Sequence, residues 1–131
     1  MKKYIFTILL CVFSQSCSSS DLSYDYLILH PKKLEKAYKS CEATFTEKCR
    51  EVERAAKDFT ILSYTRARDP QKFGKSILHL QENTAKLYKE YLALKKSSDK
   101  QKAELIFKDY QEQIKKLNVL YAVVASTGPG Q

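Results

Sequence analysis

A ten-residue block, apolar but for Thr7, runs from Tyr4 to Phe13 (YIFTILLCVF) near the start of the chain, and beyond residue 30 apolar positions recur at spacings of three and four. The first pattern is one short block; the second is helical periodicity. His30-Pro31 predicts a helix start, because proline loses nothing in a first turn whose N–H groups have no partner. Leu34, Tyr38, Cys41 and Phe45 form that helix's stripe. Thr44 and Glu47 stand in the S/T-x-x-E arrangement of a capping box and predict a restart near Thr44. Cys49, Val52, Ala56, Phe59, Ser63 and Ala67 continue the stripe. Asp69-Pro70, a cap followed by a first-turn proline, opens a third helix with its stripe on Phe73, Ile77, Leu80, Thr84, Leu87, Tyr91 and Leu94. Lys95 and Lys96 close it, where the helix dipole favours cations. After the Ser97-Ser98-Asp99 turn, a fourth stripe runs through Ala103, Ile106, Tyr110, Gln113, Leu117, Leu120 and Val124. No strand-like alternation and no internal repeat competes. The expected fold is all-α, a small antiparallel bundle of about four helices.

The opening block changes what belongs to that bundle. Ten helical residues reach only about 15 Å, half of a bilayer core, so the block is too short for a mature span. Lys2 and Lys3 before it and the small residues Ser14 and Ser16 after it complete the pattern of a cleaved signal peptide over residues 1–16. Cys17 then becomes the first mature residue. A cysteine there resembles the lipobox of bacterial lipoproteins, whose acceptor cysteine carries fatty-acyl chains such as palmitate. Ser14 stands where that pattern has leucine. An ordinary signal peptidase cutting the same bond and leaving a free thiol therefore stays open.

The boundaries that follow are a lipid-anchored tether over 17–28 and a helical domain over 29–125. That domain divides into a Cys-bridged hairpin (29–67) and a long hairpin (69–125), before a disordered tail over 126–131. Removing residues 1–16 leaves 115 of 131 residues, and losing Lys2 and Lys3 lowers the net charge from +8 to +6. That length suits one domain. Of four cysteines, Cys11 leaves with the leader and Cys17 takes the lipid, so Cys41 and Cys49 remain as a pair. An exported protein is expected to bridge them. On one unbroken helix they would lie about 12 Å apart, too far for a disulfide, so bridging requires a turn between them.

Little here can carry catalysis. Two histidines, His30 and His79, and two bridged cysteines make neither a zinc spacing nor an activated nucleophile, so the chain is expected to be no enzyme and to hold no metal or cofactor. His79 lies one position off its helix stripe and reads as a boundary residue. His30 reads as the residue that ends an extended segment and starts the helix. The basic excess is interleaved with acids (Glu35, Lys36, Lys39, Glu42, Glu47, Lys48), the pattern of a solvated helix face and not of a nucleic-acid site. Eight mature tyrosines (Tyr24, Tyr26, Tyr38, Tyr64, Tyr88, Tyr91, Tyr110, Tyr121) read either as half-buried core or as a partner patch, and the pattern alone leaves both open.

Tyr26-Leu27, His30-Pro31, Leu34, Tyr38, Cys41, Cys49, Val52 and Ala55-Ala56 together resemble a known signature. It is that of the entry-exclusion lipoproteins of conjugative elements, the EexN family. The resemblance covers the leader and residues 17–57; the region from Asp69 to Gln131 goes beyond it. It implies a lipoprotein at the bacterial envelope, facing the periplasm; separately, Ser18 and not Asp follows Cys17, which resembles the lipoprotein sorting pattern for the outer membrane more than the inner. It implies a block on redundant DNA entry, exerted on a component of a type IV secretion or mating-pair machine, with no small-molecule substrate. Two alternatives stand beside it: an accessory or assembly lipoprotein of a secretion system, and a small periplasmic binding or inhibitor module.

Overall fold

Residues 21–97 and 99–126 are described by the computed structural model of the chain. The expected signal peptide, the expected lipid acceptor Cys17 and residues 127–131 of the expected tail lie outside them. Among the described residues there are five helices and no strand: α1 (Tyr24–Leu27), α2 (Pro31–Ala43), α3 (Cys49–Arg68), α4 (Pro70–Lys95) and α5 (Lys100–Ser126). The fold is the all-α bundle that the periodicity implies.

The starts of the two long helices follow from side-chain caps. Asp69 Oδ1 accepts the Lys72 backbone N–H at 2.8 Å, and Asp99 Oδ1 accepts that of Lys102 at 3.1 Å. Each carboxylate satisfies a donor that the first turn would leave orphaned. α4 and α5 then run antiparallel along a seam in which Phe73, Thr84, Ala103 and Leu117 are buried. Thr84 is tolerated there because its hydroxyl donates to Leu80 O at 2.6 Å.

A second unit is built from α1, α2 and α3. Leu27, Ile28, Leu34, Val52 and Ala55 form its fully buried centre, with Tyr26, Cys41, Ala56, Phe59 and, from α5, Val119 packed around them. Val119 and the buried Val123 carry this unit on α5. Arg66 adds a hydrogen bond to Val123 O at 3.4 Å. That docking explains why burial at the end of α5 falls on Val123 and leaves Val124, the expected stripe position, 37% exposed.

Four expectations are corrected. The tether expected over 17–28 ends earlier, because Tyr24–Leu27 is helical and Leu27 and Ile28 are buried. The segment before His30 is thus a helical turn and not extended chain. Thr44 and Glu47 form no capping box: Thr44 closes α2, its N–H bonded to Ser40 O at 3.0 Å, and α3 begins only at Cys49. Phe45 falls in the resulting loop and is exposed, as is Ala67 at the far end of α3. Lastly, Ser126 belongs to α5 and not to the tail.

Candidate functional site

The residues that carry the family resemblance converge on the α1–α3 unit. Leu27 and Leu34 point into its centre from α1 and α2, and Ala55 and Ala56 bring α3 close because their side chains are small. Tyr26 and His30 stack with ring centroids 4.1 Å apart, and His30 Nδ1 lies 2.7 Å from Tyr26 O, to which it donates in the matching tautomer. This one-turn clasp sets the angle at which Pro31 starts α2. Cys41 and Cys49 are joined with Cα atoms 5.7 Å apart, across the loop between α2 and α3. The Thr46 backbone N–H donates to Cys49 Sγ at 3.4 Å, tightening that loop.

A polar latch holds α1 from outside. The Tyr24 hydroxyl donates to Asp58 Oδ2 at 2.9 Å while the Arg54 guanidinium lies 4.4 Å over the same ring. Burial first, and the Asp58 carboxylate second, push the Tyr24 phenol up to about 12. Arg54 is itself anchored by Glu51 at 2.8 Å. Tyr24, Arg54 and Asp58 were visible as residues but not as a trio, since 30 positions and a turn separate them.

At the open end of the bridged hairpin, opposite the disulfide, α2 and α3 diverge around a groove of about 960 Å³. Its wall includes Leu34, Tyr38, Phe59 and Ile61, and Ser126 closes one end. Tyr38 is 40% and Ile61 51% exposed, so large apolar groups meet solvent here. Glu35 and Lys39 stand at its rim as an i,i+4 pair at 2.6 Å. That contact holds the Glu35 carboxyl below its usual range and the Lys39 ammonium above its own. Ser63 Oγ lines the same groove, buried and without a hydrogen-bond partner among the described residues. Ser63 is a stripe position of α3 and Ile61 lies off that stripe; that both line a groove depends on how α2 leans, which a single helix pattern does not contain.

The tyrosines divide evenly. Tyr24, Tyr26, Tyr91 and Tyr110 are half-buried, whereas Tyr38, Tyr64, Tyr88 and Tyr121 are exposed. His79 is exposed and lies 3.2 Å from the Asn83 amide, far in sequence and structure from the His30 clasp. Among the described residues no cluster of three or more His, Cys, Asp or Glu side chains could hold a metal. None of the described helices is long and apolar enough to cross a membrane. Comparison with known protein families, curated proteins and solved structures finds no match to this chain.

Proposed function

We propose that the chain is an envelope-anchored lipoprotein that works by protein–protein contact. Its action would be entry exclusion, a block on redundant conjugative DNA transfer through a type IV secretion or mating-pair machine. In this reading residues 1–16 direct export, Cys17 carries the lipid, and the bridged α1–α3 unit faces the periplasm as a rigid contact body. No reacting group is needed, and the reading assigns no enzymatic role, metal or cofactor.

One observation carries the reading. The residues of the resemblance, scattered over thirty positions, pack as one unit: the Tyr26–His30 clasp, the Leu27 and Leu34 plugs, the Cys41–Cys49 bridge and the Ala55-Ala56 contact. The groove beside this unit, with exposed Tyr38 and Ile61, has the mixed aromatic and apolar character that protein partners use.

The test is genetic. A recipient carrying the element with this gene deleted should accept DNA from a donor of the same element more often than the intact recipient does. Transfer from a donor of an unrelated element should stay unchanged. Equal acceptance with and without the gene would refute exclusion. Loss of secretion from the deleted strain would instead support the accessory role.

A further inference from the structure

The α4–α5 hairpin carries a second, uncharged surface beside its seam, from which Tyr88 and Phe107 reach into the seam, their rings 5.3 Å from Tyr110 and 4.8 Å from Tyr91. Besides the buried stripe, α4 presents Leu78, Gln81, Ala85, Tyr88 and Leu92, stepping by three, four, three and four. α5 presents Phe107, Gln111, Ile114, Asn118 and Tyr121, stepping by four, three, four and three. Both rows follow the 3.5-residue repeat of helices that pack on helices. Gln81 Nε2 donates to the Tyr121 hydroxyl at 2.5 Å, which puts the two rows on one side of the hairpin. Leu78, Tyr88, Leu92 and Tyr121 are 40–58% exposed. None of the ten positions is charged, in a chain whose residues are 29% charged. A solvated face of such a chain would carry its share of lysines and glutamates, as the remaining faces of α4 and α5 do. The α1–α3 unit docks beside this side, through Val119 and an Asp25–Lys115 pair at 3.7 Å, and Leu29 to Lys33 reach Ala122 and Ala125 beyond its C-terminal end, so the open face runs from Leu78 to Leu92 and from Phe107 to Tyr121.

We infer that this face binds a second copy of the chain, forming a symmetric dimer whose two α4–α5 hairpins make a four-helix bundle. Three features favour a copy over a foreign partner. A two-helix hairpin is a single layer and needs another layer of the same shape to bury its outer apolar face. The two rows have their midpoints, Ala85 and Ile114, at the same level of the hairpin. A two-fold axis crossing there lays α4 antiparallel on α4 and α5 antiparallel on α5. In that register Glu82, on the edge of the α4 row, faces Lys89 of the second copy, and the pair occurs twice. Ala85, the smallest side chain of the row, lies where the backbones come closest. For a protein of strongly positive net charge, this uncharged face is also where two copies can approach without like charges meeting.

The experiment uses the full-length protein extracted from envelopes in mild detergent. Sedimentation should give twice the protein's own mass. A short bis-maleimide should join Ala85→Cys chains into a band of twice the single-chain mass in intact envelopes. Neither the unsubstituted chain nor Leu105→Cys, exposed but off the face, should cross-link. Tyr88→Glu should return the protein to single-chain mass with its helical circular dichroism unchanged, while Leu105→Glu stays double. Single-chain mass for the unsubstituted protein at micromolar concentration would overturn the proposal, as would an Ala85→Cys adduct with a protein of different mass. Neither result bears on the exclusion phenotype, which is measured separately.

Discussion

Leu27→Ala tests where the folded domain begins. Leu27 belongs to a four-residue helix, ten positions after Cys17, in a stretch whose polar neighbours resemble a tether. Yet it is 1% exposed and touches the centre formed by Ile28, Leu34, Val52 and Ala55. The substitution removes three buried carbon groups, which at about 0.8 kcal/mol each costs about 2.4 kcal/mol of transfer free energy. Incomplete collapse of the cavity raises this to about 3–4 kcal/mol. In a domain of this size each kcal/mol lowers the melting temperature by about 4 °C or more, so Tm should drop by at least about 12 °C. Urea unfolding followed by circular dichroism measures it, with Leu105→Ala, at a 60% exposed position, as the control expected within about 0.5 kcal/mol. A change below about 0.5 kcal/mol for Leu27→Ala would refute the burial and return this stretch to the tether. A subtler outcome is also informative. If α1 leaves the body as a unit before the rest unfolds, the cost saturates at the free energy of undocking, and adding Ile28→Ala changes nothing further.

Four more outcomes follow from the same geometry. Cys41→Ser combined with Cys49→Ser should destabilise the protein by about 2.5 kcal/mol, the loop-closure value for nine residues, and thiol labelling of the unreduced, unfolded chain should find neither cysteine free. Gly74→Ala should stabilise it by about 0.5–1 kcal/mol in thermal melts, because Gly74 lies inside α4 and an added Cβ meets nothing within 4 Å. Tyr24 has a folded pKa of about 12 against 10.0 for the free group, so its contribution is complete below pH 10 and is lost as pH rises towards 12. Stability measured from pH 9 to 11 should fall less in Tyr24→Phe than in the parent. Inserting ten Gly/Ser residues between Ser20 and Asp21 should leave Tm unchanged but weaken exclusion in the conjugation assay; full exclusion would show that reach from the membrane does not matter.

Most of the helical layout is legible in the chain, for identifiable reasons. Asp69-Pro70 and Asp99 are local devices, each acting on an N–H three residues away, and the structure uses both. The α4 stripe from Phe73 to Leu94 is long enough for 3.6-residue periodicity to average out noise, and all seven positions are buried or half-buried. Thr44-x-x-Glu47 forms no capping box because Thr44 closes the previous helix, its N–H bonded to Ser40 O, and the turn that leads into α3 starts two residues later, with the Cys49 N–H on Thr46 O at 2.9 Å. α1 was missed because four residues give no period, although the apolar run Leu27-Ile28-Leu29 was a signal that something there is buried. The groove was not legible at all. It depends on the angle between α2 and α3, set by the bridge at one end and by the docking of α5 at the other.

The early start of the core alters how the proposed activity would work. A tether running from Cys17 to Ile28 could extend to about 40 Å, letting the domain sample much of the space beneath a membrane. With Leu22 already packed against the core, only five residue steps would separate an acylated Cys17 from the folded body, a reach of about 18 Å at most. With that anchor the α1–α3 unit would be held near the bilayer surface and not suspended far from it. The longest dimension left to act at a distance is the α4–α5 hairpin, about 39 Å along α4. Under the proposed function, a blocking protein of this design would meet its target at the membrane that anchors it, with its resemblance-bearing unit close to the lipid and the extension beyond residue 69 supplying the reach.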